Sequence, residues 1–394
     1  MKHSTRISLG IFSIVAVMTL MAVSKPAENK GSNLNPPQQP SPYRKQQKIQ
    51  AAILLDVSSS MDGLIDQAKA QLWNMVSVMG KAQCDNNIAP QIEIALYEYG
   101  RSSNDVKDGY IKQLSPFTTD LDQLSKILFS LTTNGGDEYC SQVILTSLQQ
   151  LSWDTAATNY KVIFIAGNED FLQGTVTYST ACASAKQKGV IVNTIYCGDR
   201  QQGIREHWNL NTECGNGSYT NIDQNARVEE IPTPYDSTIY SLNDKLNNTY
   251  LAYGDGGSDK AKNQSEMDVA NVSMSKAAGL QRIVVKGRKE LYKNESWDMV
   301  DASANDSLYY QKVDMKTLPD SLKNKTRAQL KEVIRSKTAA RTLVQQQIEA
   351  LNKQRVDFIS AERKKNSVNN NSTLESEVER IIRVQAKRFN MLIN

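Results

Sequence analysis

Between residues 49 and 223, short apolar runs alternate with stretches in which apolar side chains recur every three or four positions. The apolar runs predict strands, and the periodic stretches predict helices with one buried face. The predicted strands are 49–55, 92–99, 160–166, 190–196 and 218–222. The predicted helices are 64–81, 121–131, 142–151 and 180–188.

Strand 160–166 is apolar along almost its whole length, as expected for a strand covered on both faces of a sheet. Strands that alternate with helices predict an α/β fold with a doubly wound, mostly parallel, Rossmann-like sheet. One edge of that sheet would carry the loops that follow Leu55, Leu131 and Ala166. Ligands of such sheets bind at this carboxyl edge.

Beyond residue 258 the chain is polar and poor in glycine, with apolar residues at helical spacing over 326–364. A polar break at 368–373 precedes a last predicted helix that starts at Leu374. We therefore predict an α-helical, coiled-coil-like C-terminal region over 258–394, ending in an antiparallel hairpin. Its apolar stripes require burial, either on the preceding domain or against another copy, so the oligomeric state stays open.

The first 24 residues combine Lys2 and Arg6 with an apolar run over 7–23, which is typical of a secretory signal peptide. An uncleaved membrane anchor is the alternative. Residues 25–47 are polar and proline-rich and predict a flexible linker. With an α/β domain over 48–253, this organisation predicts a protein exported to the periplasm, the cell envelope or the outside of a bacterium.

Charge and cysteine content narrow the function only slightly. The net charge of +4 favours no class of partner, while residues 320–394 carry 16 basic and 8 acidic side chains. Export argues against nucleic acid, so this basic surface is either solvated or in contact with an anionic envelope surface.

Five cysteines permit disulfides in an exported protein, and Cys182 and Cys197 would approach each other if both lie at the same edge.

The candidate functional residues lie in the turn after the first predicted strand. Asp56, Ser58 and Ser60 follow each other at alternate positions, just before the first helix. A carboxylate and two hydroxyls are hard oxygen ligands of the kind that Mg²⁺ or Ca²⁺ binds. The alternative is an ordinary helix N-cap, although a cap needs only one such residue.

This Asp-x-Ser-x-Ser register, followed by Met61 and Gly63, resembles the von Willebrand factor type A family. The resemblance implies a metal-ion-dependent adhesion site in which Asp56, Ser58 and Ser60 bind a divalent cation. In that family a Thr from a second loop and an Asp from a third loop assist. The runs 94–100, 133–140, 164–169 and 192–198 resemble an exported bacterial subgroup of the family, and the resemblance covers about 48–250.

Two loops depart from the family pattern. Asp137 and Glu138 stand where the second loop has its Thr, and Gly167 stands where the third loop has its Asp. We interpret this as a relocated site in which Asp137 or Glu138 supplies the extra carboxylate. The alternatives are a degenerate domain that binds no metal, or loop charges that cap the next helix.

Three hypotheses follow for function. The first is a non-catalytic adhesion module, in which Mg²⁺ (or Mn²⁺ or Ca²⁺) is completed by an acidic side chain of a partner protein. The second is a metal-assisted hydrolase that uses Asp56, Asp137 and Glu138, against which stands the lack of a histidine placed for proton transfer. The third is a structural envelope protein with a vestigial metal site.

Overall fold

The computed structural model describes residues 46–84, 88–223, 230–366 and 374–393. The predicted signal peptide, nearly all of the predicted linker and the polar break at 368–373 lie outside the described residues. Within those four ranges, no helix combines the length and the apolar composition needed to cross a membrane.

Six strands form the central sheet, in the order β4-β3-β1-β5-β6-β7. Every neighbouring pair is parallel except β3 and β4. This is the order of a doubly wound sheet, and the chain changes direction of winding between β1 and β5. The strands of this sheet are β1 (Lys48–Asp56), β3 (Gln91–Tyr99), β4 (Lys112–Thr118), β5 (Tyr160–Gly167), β6 (Ile191–Cys197) and β7 (Tyr219–Ile222). Two short strands, β2 (Ala82–Gln83) and β8 (Leu392–Ile393), form a separate pair.

The five strands predicted from sequence correspond to β1, β3, β5, β6 and β7, so the predicted α/β fold is confirmed. The edge strand β4 was not predicted. It contains Pro116 and pairs with β3 through an irregular register, so it lacks a regular alternation of apolar and polar residues. Proline is tolerated there because an edge strand has one unpaired side.

The four helices predicted in the α/β part correspond to α1 to α4, whereas α5 and α6 were not predicted. The helices are α1 (Asp62–Met79), α2 (Leu121–Ser130), α3 (Cys140–Gln150), α4 (Tyr178–Lys188), α5 (Arg200–Arg205), α6 (Asp236–Asn247), α7 (Gly257–Met274), α8 (Lys276–Lys286), α9 (Met299–Asn305), α10 (Tyr309–Lys312), α11 (Asp320–Lys323), α12 (Arg327–Asn366) and α13 (Leu374–Ala386).

The sheet is buried on both faces, as its apolar strands predict. Ile49, Ile53 and Leu55 of β1 point to one face, where α1, α2, α8 and α13 contribute to the same apolar cluster. Ala52 and Leu54 point to the other face, where α3 and α4 cover them. The fold therefore has three layers, with helices from the C-terminal region forming part of one layer.

The predicted C-terminal hairpin is wrong, because α12 and α13 bury their apolar stripes on different neighbours. Val344 and Ile348 of α12 pack against α6 and α8. Ile381 and Ile382 of α13 instead join the cluster beneath the central sheet. The chain end continues from α13 into β8, which pairs antiparallel with β2.

Buried ion pairs connect α8 to the α/β part. Arg282 on α8 forms ion pairs with Asp122 of α2 and Asp268 of α7, both at 2.6 Å, and Lys286 forms a third with Asp268 at 2.7 Å. The side chains of Arg282 and Lys286 are 1% and 0% exposed. We call these four residues the Arg282 cluster.

One disulfide joins Cys182 and Cys214, so the expected approach of Cys182 to Cys197 is wrong. Cys197 lies on the face of β6 that carries the α1 cluster, whereas Cys182 and Cys214 lie in the cluster on the opposite face. Side chains alternate between the faces of a strand, and this alternation keeps Cys197 away from α4.

Candidate metal site

The predicted Asp-x-Ser-x-Ser turn lies at the carboxyl end of β1, next to the point where the winding of the sheet reverses. The Asp56 side chain is fully buried, and its Oδ1 accepts a hydrogen bond of 2.7 Å from the backbone N–H of Ser58. Helix α1 has Met61 at its N-cap and no side-chain cap. Asp56 and the two serines therefore do not serve as the cap of α1.

Glu138 meets Asp56 at this position, from the loop before α3. Its side chain is buried, although nothing in its local sequence is apolar enough to predict that. Gly100, with φ of +78°, makes the approach possible: a Cβ there would lie 2.9 Å from Asp56 Oδ1 and 3.0 Å from Glu138 Cγ. The absence of a side chain at residue 100 thus leaves the space that the two carboxyl groups occupy.

Three buried oxygens at the site have no hydrogen-bond partner: Asp56 Oδ2, Ser58 Oγ and Glu138 Oε2. Buried polar atoms in folded proteins are nearly always hydrogen-bonded, and leaving one unpaired costs about 1–3 kcal/mol. Three such atoms on adjoining side chains indicate a place for a ligand that contacts oxygen.

The electrostatics of the two carboxyl groups agree with this geometry. Burial raises the pKa of Asp56 above its ordinary value. Burial, together with the nearby charge of Asp56, raises the pKa of Glu138 to about 9. No Lys or Arg side chain among the described residues forms an ion pair with either group. The pair therefore retains a proton near neutral pH unless a cation takes its place.

The other two predicted ligands differ in position. Ser60 is exposed at the edge of the site, with its Oγ 3.1 Å from the amide nitrogen of Asn168. Asp137 is exposed and accepts a hydrogen bond of 3.3 Å from Tyr139 Oη. Of the two candidate carboxylates in the second loop, Glu138 adjoins Asp56 and Asp137 does not. Because Glu138 is buried, the idea that both are solvated capping charges fails for Glu138.

The third loop has no room for the aspartate of the family pattern. A Cβ at Gly167 would lie 2.5 Å from Tyr99 Oη and 3.1 Å from Asp56 Oδ2. Tyr99 is itself held by a hydrogen bond of 2.9 Å to the carbonyl of Ala166. The buried tyrosine thus excludes a side chain at position 167. The sequence pattern around Asp56 does not indicate Tyr99 and Gly100, because both lie on β3 or just after it, far along the chain from Asp56.

The donor set fits a hard divalent cation. Asp56 and Glu138 supply two carboxylates, and Ser58 and Ser60 supply two hydroxyls, which are the ligand types preferred by Mg²⁺ and Ca²⁺. Among the residues that the structure describes, no group of three or more His, Cys, Asp or Glu side chains is arranged to hold a metal ion, either at this site or elsewhere. A cation at this position would therefore depend on the hydroxyls as well as on the two carboxylates.

No protein-family profile and no curated protein sequence matches the chain. Solved structures do match about 45% of it. Proximal thread matrix protein 1 from the mussel byssus, in a structure with a zinc-occupied MIDAS motif, shares 12% identity over 45% of this chain and 42% of its own, with a TM-score of 0.34. The pilus adhesin SpaC from Lactobacillus rhamnosus GG shares 15% identity over 46% and 28%, with a TM-score of 0.33.

A von Willebrand factor type A protein from Catenulispora acidiphila shares 13% identity over 45% of this chain and 39% of its own, with a TM-score of 0.34. The chain thus spans less than half of each of these three proteins. Likenesses at these TM-scores carry no argument of their own. The doubly wound, mostly parallel sheet expected from the sequence is confirmed by the strand order of this chain, and the Asp-x-Ser-x-Ser turn lies at the carboxyl end of its strand β1.

Proposed function

We propose that this protein is an exported, non-catalytic binding module that captures a partner protein through a divalent cation. Asp56, Ser58, Ser60 and Glu138 hold the cation, with Mg²⁺ as the first choice and Mn²⁺ or Ca²⁺ as alternatives. An acidic side chain of the partner completes the coordination sphere from the solvent side. Binding of the partner then depends on the metal.

One observation carries this proposal: three unpaired oxygens of Asp56, Ser58 and Glu138 are buried side by side, and no Lys or Arg side chain of the described residues forms an ion pair with them. Burying two adjoining carboxylates is unfavourable unless a positive charge or a proton accompanies them. Their position at the carboxyl edge of the sheet, beside the exposed Ser60, leaves the ion reachable from solvent.

The test is calorimetric titration of the purified protein with Mg²⁺ and Mn²⁺. Wild-type protein binds one ion, and Asp56→Ala abolishes binding. Glu138→Gln weakens binding by at least roughly tenfold, since it removes one of two charged ligands. Asp137→Asn is the matched control, because it removes the same charge one residue away, and it leaves the affinity within about twofold.

Partner capture distinguishes the three hypotheses for function. With an envelope extract as the source, wild type retains a partner in Mg²⁺ and releases it in chelator, and Asp56→Ala retains none. A metal-dependent turnover that Asp56→Ala abolishes would support the hydrolase instead. Unchanged capture in Asp56→Ala would support a structural protein with a vestigial site and would contradict the proposal.

The disulfide between Cys182 and Cys214 supports an exported location. Such bonds persist in oxidising compartments and are rare in reducing ones. It lies in the cluster on the face opposite α1, where it joins α4 to the segment before β7. Fractionation of cells that express the full chain, with antibody detection, tests this location directly.

A further inference from the structure

The loop after β5 approaches the site, yet its role in holding the ion is unassigned. Gly167 offers no side chain, and Tyr99 Oη fills the space into which one would project. Asn168 is the next residue, half-buried, and its amide nitrogen lies 3.1 Å from Ser60 Oγ. Its amide oxygen lies 3.5 Å from the same hydroxyl. The third loop therefore reaches the ligand set through an amide.

An asparagine amide can present either of its ends to the site. Rotation by half a turn about the last side-chain bond exchanges the oxygen and the nitrogen, and a serine hydroxyl can donate to one or accept from the other. With a cation present, the oxygen end is favoured, because amide carbonyl oxygens are regular ligands of Ca²⁺ and Mg²⁺. Ser60 tolerates both orientations, so the exchange needs no movement of the backbone.

Backbone contacts fix the loop in which Asn168 lies. Trp208, which is fully buried, donates a hydrogen bond of 2.7 Å from its indole N–H to the carbonyl of Glu169. The backbone N–H of Phe171 donates to the carbonyl of Glu206 at 2.9 Å. A side chain on a loop held at these points is positioned before the ion arrives, which favours binding.

We infer that Asn168 supplies the ligand of the third loop as a neutral amide oxygen, and that Glu138 supplies the negative charge that position 167 has no room to carry. This inference rests on the proposed cation site and adds a residue to it. This assignment of ligands explains why the third loop of the site lacks a carboxylate while the second loop, with Glu138, has gained one. It also assigns a function to the hydrogen bond between Ser60 and Asn168.

The test moves the charge between the two loops. Asn168→Ala lowers the affinity for Mn²⁺ roughly tenfold in calorimetric titration, whereas Glu169→Gln, which removes an exposed charge near the site but no proposed ligand, leaves it within about threefold. Glu138→Gln lowers the affinity at least roughly tenfold. The double variant Glu138→Gln/Asn168→Asp returns it to within about threefold of wild type, because the carboxylate is restored from the third loop.

The rescue makes the test independent of folding defects, because a gain of affinity in the double variant requires a folded site. An unchanged affinity in Asn168→Ala would overturn the inference, as would a loss confined to Glu169→Gln or a double variant no better than Glu138→Gln. Those results leave the cation site itself intact. The separate result that wild-type protein binds neither Mg²⁺ nor Mn²⁺ would refute the proposed function and this inference together.

Discussion

Two groups of buried carboxylates in this protein are neutralised in opposite ways. In the Arg282 cluster, burial alone would raise the pKa of Asp268, but the charges of Lys286 and Arg282 hold it below its ordinary value. At the candidate site, burial and the charge of Asp56 raise the pKa of Glu138 to about 9. Within the part of the chain that the structure describes, basic side chains thus neutralise the first group, and none pairs with the second.

The comparison separates a structural ion network from a candidate ligand site. A buried charge is tolerated when the chain supplies the opposite charge with good geometry, and removing one partner then costs stability. A carboxyl pair without such a partner costs stability while it is empty and gains it when a cation binds. The two groups should therefore respond in opposite directions to loss of one charge.

The largest expected effect is in the Arg282 cluster. Arg282→Met lowers the free energy of unfolding by roughly 3–5 kcal/mol, because it leaves Asp122 without its buried cation and Asp268 with Lys286 alone. Urea denaturation followed by circular dichroism measures the change. Arg282→Lys is the control, since it keeps the charge and loses less. A loss below about 1 kcal/mol in Arg282→Met would show that the buried carboxylates of the Arg282 cluster do not depend on this cation, which would contradict the comparison.

The opposite sign is expected at the candidate site. In chelator at pH 8, Glu138→Gln raises the free energy of unfolding by about 2 kcal/mol, because Glu138 is ionised in the unfolded chain and must take up a proton on folding, whereas a glutamine needs none. The pKa of Glu138 lies above its unfolded value of 4.5, so the penalty is absent below that pH and grows as pH rises toward about 9. Urea denaturation at pH 5 and pH 8 measures it.

Asp137→Asn is again the matched control and should show no such pH-dependent gain, because Asp137 is exposed. Equal stability of Glu138→Gln and wild type at both pH values would mean that the carboxyl pair carries no strain. The site would then resemble the Arg282 cluster in being satisfied without a ligand.

The smallest effect is a pH dependence of cation affinity. With the pKa of Glu138 at about 9, an arriving ion displaces a proton, so affinity falls about tenfold for each pH unit below 9. Calorimetric titration at pH 7 and pH 8, in buffers of different ionisation enthalpy, gives both the affinity and the number of protons released. A wild-type affinity that does not change with pH would show that Glu138 is not a ligand.

Features of the fold and of the candidate site could be predicted from the sequence when they depend on residues close together in the chain, and not when they depend on distant residues. Asp56, Ser58 and Ser60 lie in one turn, so their spacing alone indicated an oxygen-ligand site, and the strands around them followed from apolar runs. The choice of Glu138 over Asp137 was not available locally, because it depends on the space left by Gly100 on another strand. The exclusion of a side chain at Gly167 likewise depends on Tyr99 from the neighbouring part of the sheet.

The C-terminal region was harder to predict than the sheet for a related reason. The amphipathic stripes of α12 and α13 indicated helices correctly, but an apolar stripe does not show which element of the fold it packs against. Adjacency along the chain suggested a hairpin, whereas the partners are α6 and α8 for one helix and the sheet cluster for the other. Buried polar residues such as Arg282, which fix α8 against α2 and α7, have no signature in the hydrophobic pattern.

The position of α13 has a consequence for the order in which the molecule folds. Gln385 accepts a hydrogen bond from Tyr160 Oη across 225 residues and exchanges bonds with Asn193, so the last helix meets the middle of the sheet. Contacts of such long sequence separation form slowly, since loop closure precedes any gain from them. During synthesis the strands of the sheet emerge before α13, so the part of the apolar face that α13 covers stays exposed until that helix has been made. Docking of α13 thus completes this layer of the fold, and a chain that lacks residues 374–393 would leave part of that face exposed to aggregation.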